Sequence, residues 1–175
     1  MSIKMVEPVV NGINALNEFV GKAVSLLFIA LVITVSLDLF SRFFTGKSTF
    51  WAFDINYMIY GTNFMLAGAY AMKHDSHVRV DVIYQKFSPR TRAVMDLFFL
   101  ALVMIPLSSF MFYSTWIDFV NSVGVRETSM VSSWRPPIYP YKAVMPLAFF
   151  LLLLQSIGHF ITSSVIALKG ESNVA

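Results

Sequence analysis

Acidic and basic residues are absent from four long stretches: Ala23–Leu37 (15 residues), Ile55–Met72 (18), Leu97–Ile117 (21) and Ala143–Leu168 (26). A helix crosses the hydrocarbon core with roughly 20 mainly apolar residues, so the last two runs qualify unaided. The second qualifies with Asp54 and Lys73 at its ends. The first is short, but apolar sequence resumes beyond it as Leu39, Phe40, Phe43 and Phe44. The interrupting Asp38 and Arg42 stand four residues apart, on one helix face, where they can form an ion pair facing protein or the headgroup layer. Lys22 can snorkel from the other end. The pattern predicts an all-α integral membrane protein. Its four transmembrane helices fall at about residues 18–44, 51–73, 93–118 and 141–168, in a single domain over 1–175. The first apolar run begins 22 residues in and has no small-residue cleavage site behind it, so it reads as a retained span.

Punctuation agrees with these limits. Ser88-Pro89 is a capping residue followed by proline at the first helical position. Pro136, Pro137 and Pro140 break the loop before the fourth helix, and Pro106 is expected to kink the third. Gly61 and Gly68, seven apart with Ala71 close by, form either a small-residue face for a neighbouring helix or an incidental set. Between spans 2 and 3, Val78, Val80 and Val82 alternate with polar residues. A lone strand has no partner there. The expected structure is a turn near His77 and a short interfacial helix capped by Asp81, with Ile83, Tyr84 and Phe87 toward lipid or protein.

Four spans put Lys4, Lys22, Lys73, Arg79, Lys86, Arg90, Arg92 and Lys169 on one side, against Arg42, Lys47, Arg126, Arg135 and Lys142 on the other. Cytoplasmic loops carry the excess of Lys and Arg, so both termini are expected in the cytoplasm. The cluster Lys86, Arg90 and Arg92 beside Phe87 suits anionic headgroups better than nucleic acid. Trp51, Trp116, Trp134, Tyr139 and Tyr141 fall at span ends, as an interfacial belt would.

Composition supports this. Apolar residues are 57 % and charged residues 13 %, with 17 Phe and a mean hydropathy of +0.66. About 25 % charged residues is usual for a soluble domain, so soluble enzymes, disordered tails and disulfide scaffolds are excluded. With no Cys there is no thiolate nucleophile and no Cys-based metal site.

Candidate chemistry is sparse. The chain has no HExxH, GxSxG, P-loop or dinucleotide fingerprint, so no catalytic residues and no metal ligands are assigned and an enzyme is not expected. Haem ligation needs two His at matching depth. His74 and His77 close span 2, while His159 lies roughly 13 Å inside span 4 at 1.5 Å per residue. Asp38 is the one acid away from a span end; an intramembrane carboxylate is a default candidate for proton coupling, and Arg42 offers it a structural pairing instead. Asp54, Asp96 and Asp118 read as anchors. Two alternatives follow: a stand-alone proton-coupled transporter acting as a dimer, and a haem- or quinone-binding membrane anchor.

One stretch is more specific. Gly68-Ala69-Tyr70-Ala71-Met72-Lys73-His74-Asp75-Ser76-His77-Val78-Arg79-Val80-Asp81 closes span 2 and leads to Ser88-Pro89-Arg90. Glu127-Thr128-Ser129, Trp134-Arg135-Pro136-Pro137, Tyr141-Lys142 and Val144-Met145-Pro146 follow in order. With its length and four runs, the whole chain resembles the small membrane subunit (DctQ type) of tripartite ATP-independent periplasmic (TRAP) transporters. The resemblance implies two partners: a large multi-span membrane subunit that carries substrate and sodium, and a periplasmic substrate-binding protein. It implies organic-acid uptake across a bacterial inner membrane, with this chain a non-catalytic scaffold holding no cofactor and sodium bound in the large subunit. Arg79 and Asp81 are expected to fix the turn after span 2 by charge-assisted hydrogen bonds. His77, Gly68 and Pro89 are the other family-motif residues. In the outer loop, Arg126, Glu127, Trp134, Arg135 and Pro137 are candidate partner contacts; the alternative is that this loop only caps its own helices.

Overall fold

In the computed structural model the described residues are 3–74 and 87–169. Their regular elements are all helical: α1 (Ile3–Thr45), α2 (Ala52–Lys73), α3 (Pro89–Phe99), a π-helical turn (Leu100–Met104), α4 (Ile105–Gly124), α5 (Tyr139–Lys142) and α6 (Val144–Lys169). Among the described residues, three helical stretches are long and apolar enough to cross a membrane: Glu7–Thr45, Thr91–Gly124 and Tyr139–Leu168. At 22 residues α2 has a span's length, but Asn56, Asn63 and its tyrosines dilute its hydropathy.

The first helix starts at Ile3 rather than near residue 18. Its 43 residues reach roughly 65 Å at 1.5 Å per residue, about twice the hydrocarbon thickness. The polar residues that mark an end in the sequence are internal partners instead. Asn17 Nδ2 donates to Gln155 Oε1 of α6 at 2.6 Å, and Gln155 Nε2 donates to Asn14 Oδ1 at 3.0 Å. Asn17 and Gln155 are both fully buried. Amides of this kind join helices where no water competes. Gln155→Leu removes both bonds and leaves Asn17 without its acceptor. It should destabilise the purified protein by about 1–2 kcal/mol, the upper range for interhelical hydrogen bonds in membranes, read as a lowered unfolding midpoint in detergent.

The third rod is continuous from Pro89 to Gly124. Ser88 caps it, its Oγ accepting from Thr91 N at 3.3 Å, and Pro89 opens the first turn. Pro106 has no N–H and its ring crowds the carbonyl four residues back. The response is the five-residue π turn just before it, where Ile105 N–H bonds Leu100 O. Ser108 Oγ donates to Met104 O at 2.6 Å and Ser109 Oγ to Ile105 O at 2.7 Å, so hydroxyls engage the carbonyls flanking the irregularity.

Packing centres on α6, which touches every other helix, while α1 and α2 barely meet α3 or α4. In the most apolar window of α6, 33 % of the residues are buried, against 11 % in α1 and in the α3–α4 rod. Val24, Leu66, Ala69, Ala148 and Leu151 form the core of the α1–α2–α6 wedge. Met72, Leu100 and Met104 form a second cluster against Leu152 and Phe160, joining the α3–α4 rod to the wedge. Glycine sets two close approaches. A β-carbon on Gly21 would lie 2.2 Å from the Tyr70 ring, and one on Gly61 would lie 2.0 Å from the Tyr141 hydroxyl. Tyr141 is therefore buried between Gly61 and Tyr57, its ring 5.4 Å from that of Tyr57. This member of the expected interfacial belt thus packs inside the chain. Gly68 shares Gly61's face in sequence, yet a β-carbon there would meet nothing within 4 Å.

Candidate functional site

Polar residues gather at the two ends of the helix assembly, and each group ties one element to another. At the α1–α2 turn, Asp38 is buried. Its Oδ2 accepts from Arg42 Nε at 2.8 Å and lies 2.7 Å from Arg42 Nη2. Its Oδ1 accepts from Thr49 N at 2.8 Å and from Ser48 Oγ at 3.0 Å. The i,i+4 spacing explains the Arg42 contact. The tie to residues 48 and 49 is what shapes the turn.

Asp54, in the first turn of α2, is 2 % exposed. Its Oδ1 accepts from Ser129 Oγ at 2.7 Å and its Oδ2 from Ser132 Oγ. Ser129 in turn accepts from Val131 N at 3.3 Å and Ser132 from Trp134 N at 3.2 Å. Acids are favoured at this end of a helix, where free amide groups point outward. Here the carboxylate also moors the loop between α4 and α5.

That loop closes on itself. Ser129 N donates to Pro136 O at 2.8 Å and Ile138 N to Glu127 O at 2.9 Å, around an isolated bridge between Thr128 and Pro137. Arg126 (φ 49°) and Arg135 (φ 46°) take the left-handed backbone conformation at the loop's two shoulders, an uncommon state for side-chain-bearing residues. Lys142 Nζ sits 2.7 Å from Glu127 and 3.1 Å from Asp118, linking the loop to the end of α4. Arg126, Trp134, Arg135 and Pro137 are exposed on this braced frame, and Trp134 stands edge-on to Phe50 at 6.5 Å. Glu127, by contrast, is engaged within the chain.

The Lys142 ammonium holds the Glu127 carboxyl below its ordinary value of about 4.5. A depressed folded-state pKa adds stability that is present above the unfolded value and is lost as pH falls through the folded one. The loop brace is therefore expected intact at neutral pH and weakening as pH drops below about 4.5. Tryptophan emission followed from pH 7 to pH 3 should report a loop transition that Glu127→Gln removes.

At the opposite end of α2, Glu18 of α1 binds Lys73, contacts Lys22 at 3.0 Å and lies 3.2 Å from His74 Nε2. The His74 ring packs on Tyr70 at 4.5 Å. This hub fastens the end of α2 to α1. His77, Arg79, Asp81 and the expected interfacial helix lie outside the described residues. Among the described residues no group of three or more His, Asp or Glu side chains is placed to hold a metal ion.

The Asp54–Ser129–Ser132 link was not foreseen. Its members are 75 and 78 residues apart, and a serine in a loop carries no pattern that names its acceptor. An acid just inside a helix start is the only signal, and it points to the helix end alone.

Long apolar helices with buried polar ties and a lipid-compatible exterior define a multi-pass helical membrane protein. Its flanks are unusually bare: Phe19, Phe28, Phe43 and Phe44 on α1 and Phe98 and Phe110 on the other side are all largely exposed. The family model described as "Tripartite ATP-independent periplasmic transporters, DctQ component" matches residues 31–165. The chain belongs to the DctQ family, and so is a small membrane component of a TRAP transporter. No curated protein and no solved structure matches it.

Proposed function

We propose that this chain is the non-catalytic scaffold subunit of a sodium-coupled TRAP transporter for organic acids. In this reading it crosses the bacterial inner membrane four times, α2 included, with both termini in the cytoplasm. It holds a large multi-span subunit that carries substrate and sodium. The exposed outer-loop residues Arg126, Trp134, Arg135 and Pro137 face that subunit or the periplasmic binding protein.

The observation that carries the scaffold reading is the placement of three acids. Glu18, Asp38 and Asp54 are each bound by groups that fix a helix end or a loop. A proton-coupling carboxylate must exchange its proton and change partners during transport. Asp38, the candidate for that work, instead closes the α1–α2 turn through four contacts. The uncovered flanks of α1 and of the α3–α4 rod offer apolar area for another membrane protein.

Purification in a mild detergent should bring down a much larger membrane protein. Deleting this chain should abolish sodium-dependent organic-acid uptake in cells. Normal uptake without it, or transport by the isolated chain in liposomes, would falsify the scaffold reading.

A further inference from the structure

Where α1 and α2 are joined, they part around a groove of about 380 Å³. Leu31 and Val35 of α1 and Tyr57 and Tyr60 of α2 line its length, with Phe53 and Arg42 toward the turn. The groove is graded: apolar and aromatic along its floor, cationic at its mouth. Asp38 borders the mouth, but both of its oxygens are already occupied. Arg42 places Nε and Nη2 on Asp38, keeps its Nη1 donors, and has a side chain 58 % exposed. Lys47 is exposed in the same turn, so the corner carries two cations against one buried carboxylate. Between mouth and floor, Asn56 Oδ1 accepts from Thr34 Oγ1 at 2.5 Å, which leaves the amide NH2 as a donor into the groove. From Arg42 to Leu31 is eleven residues, roughly 16 Å along the helix, close to the depth of one leaflet's hydrocarbon.

We infer that this groove is a binding site for one anionic glycerophospholipid. The phosphate meets the Arg42 guanidinium, the ester carbonyls lie at the depth of the Asn56 amide, and an acyl chain lies between Leu31 and Val35 on one side and Tyr57 and Tyr60 on the other. Arginine is suited to this task because its fork of donors matches phosphate oxygens, and basic pockets between membrane helices take lipid headgroups. Charge complementarity favours lipid over a helix from another protein. A helix seated here would have to bring its own acid to the mouth and an apolar face to the floor, whereas a phospholipid carries that gradient in one molecule. The inference is independent of the transporter reading: it concerns what fills a gap in this chain's own surface.

Native mass spectrometry of the full chain, released from nanodiscs made of phosphatidylglycerol and phosphatidylcholine, tests it. The wild-type chain should retain one phosphatidylglycerol through mild collisional activation. Val35→Trp, which fills the groove and leaves the Asp38–Arg42 pair intact, should lose it. Arg42→Gln should lower retention about tenfold, the loss of one charge-assisted contact. Helical circular dichroism checks that each variant is folded, and Val35→Trp stands as the test should Arg42→Gln unfold. Retention by Val35→Trp at the wild-type level overturns the site whatever Arg42→Gln does. Loss in Val35→Trp with full retention in Arg42→Gln overturns the phosphate assignment. A photo-crosslinker at position 35 that captures a protein rather than lipid in native membranes also overturns it.

Discussion

Asp54→Ala should free the loop between α4 and α5. The substitution removes the acceptor of two serine hydroxyls, one of them on Ser129, which is 3 % exposed. Hydrogen bonds to a charged group contribute about 1.5–3 kcal/mol each. The loss should therefore be on the order of 3 kcal/mol, lowering the unfolding midpoint of the detergent-solubilised protein. The location of the damage is as informative as its size. Trypsin should cut after Arg126 faster in the variant than in the parent, because the backbone around it is no longer tied to α2; Arg135 precedes Pro136 and is not a trypsin site. Asp54→Asn keeps one acceptor oxygen and should lie between the two. Ser129→Ala should cost less than Asp54→Ala, and adding it to Asp54→Ala should add little, since the two residues share one bond. Unchanged proteolysis and an unchanged midpoint in Asp54→Ala would mean that the loop is held by Glu127, Lys142 and its own backbone alone.

What the sequence reveals of this molecule follows the range of each interaction. The contact between Asp38 and Arg42 is four residues long and can be read directly, as can the cap at Ser88. The length of α1 could not be read. Asn14, Asn17 and Glu18 look like the solvated end of a span, yet they lie inside a helix and find partners on α6 and α2. Pro106 announces an irregularity but not its kind; the widening into a π turn depends on which carbonyls the neighbouring serines can reach. Composition says that much of α2 is apolar and says nothing of its position between α1 and α6. The residues of the α4–α5 loop singled out as contacts divide in the same way. Arg126 and Arg135 hold left-handed backbone, a property of the loop's closure, and Glu127 is drawn back to Lys142, 15 residues on. The family is legible because its motif is local and ordered, and the most specific part of that motif, residues 77–81, lies outside the described residues.

Glycine spacing is the sharpest case of a local pattern with a non-local meaning. Gly61 and Gly68 lie on one helix face, but α5 reaches only Gly61, and the other close approach occurs at Gly21, which no spacing marks. Gly21→Ala is expected to have one of the largest effects on this fold. The new methyl would lie 2.2 Å from Tyr70 Cδ2, 2.6 Å from Cγ and 2.9 Å from Cβ. Swinging the ring away relieves the first contact but not the last, because Cβ is fixed to the α2 backbone. The α1–α2 pair must then separate near its junction with the Glu18–Lys73 hub. Over-packing of a well-filled contact costs about 1–3 kcal/mol, and replacing a helical glycine by alanine returns up to about 1 kcal/mol. The net expectation is a loss of about 1–2 kcal/mol in unfolding measurements, with Gly68→Ala neutral or slightly stabilising as the matched control. The double variant Gly21→Ala/Tyr70→Ala removes both ring contacts and leaves a single 2.9 Å approach that a shift of a few tenths of an ångström relieves. It should be more stable than the sum of the two single losses predicts, with a coupling of about 1 kcal/mol or more. Additive losses would show that the glycine is not what lets α2 lie against α1 at this depth.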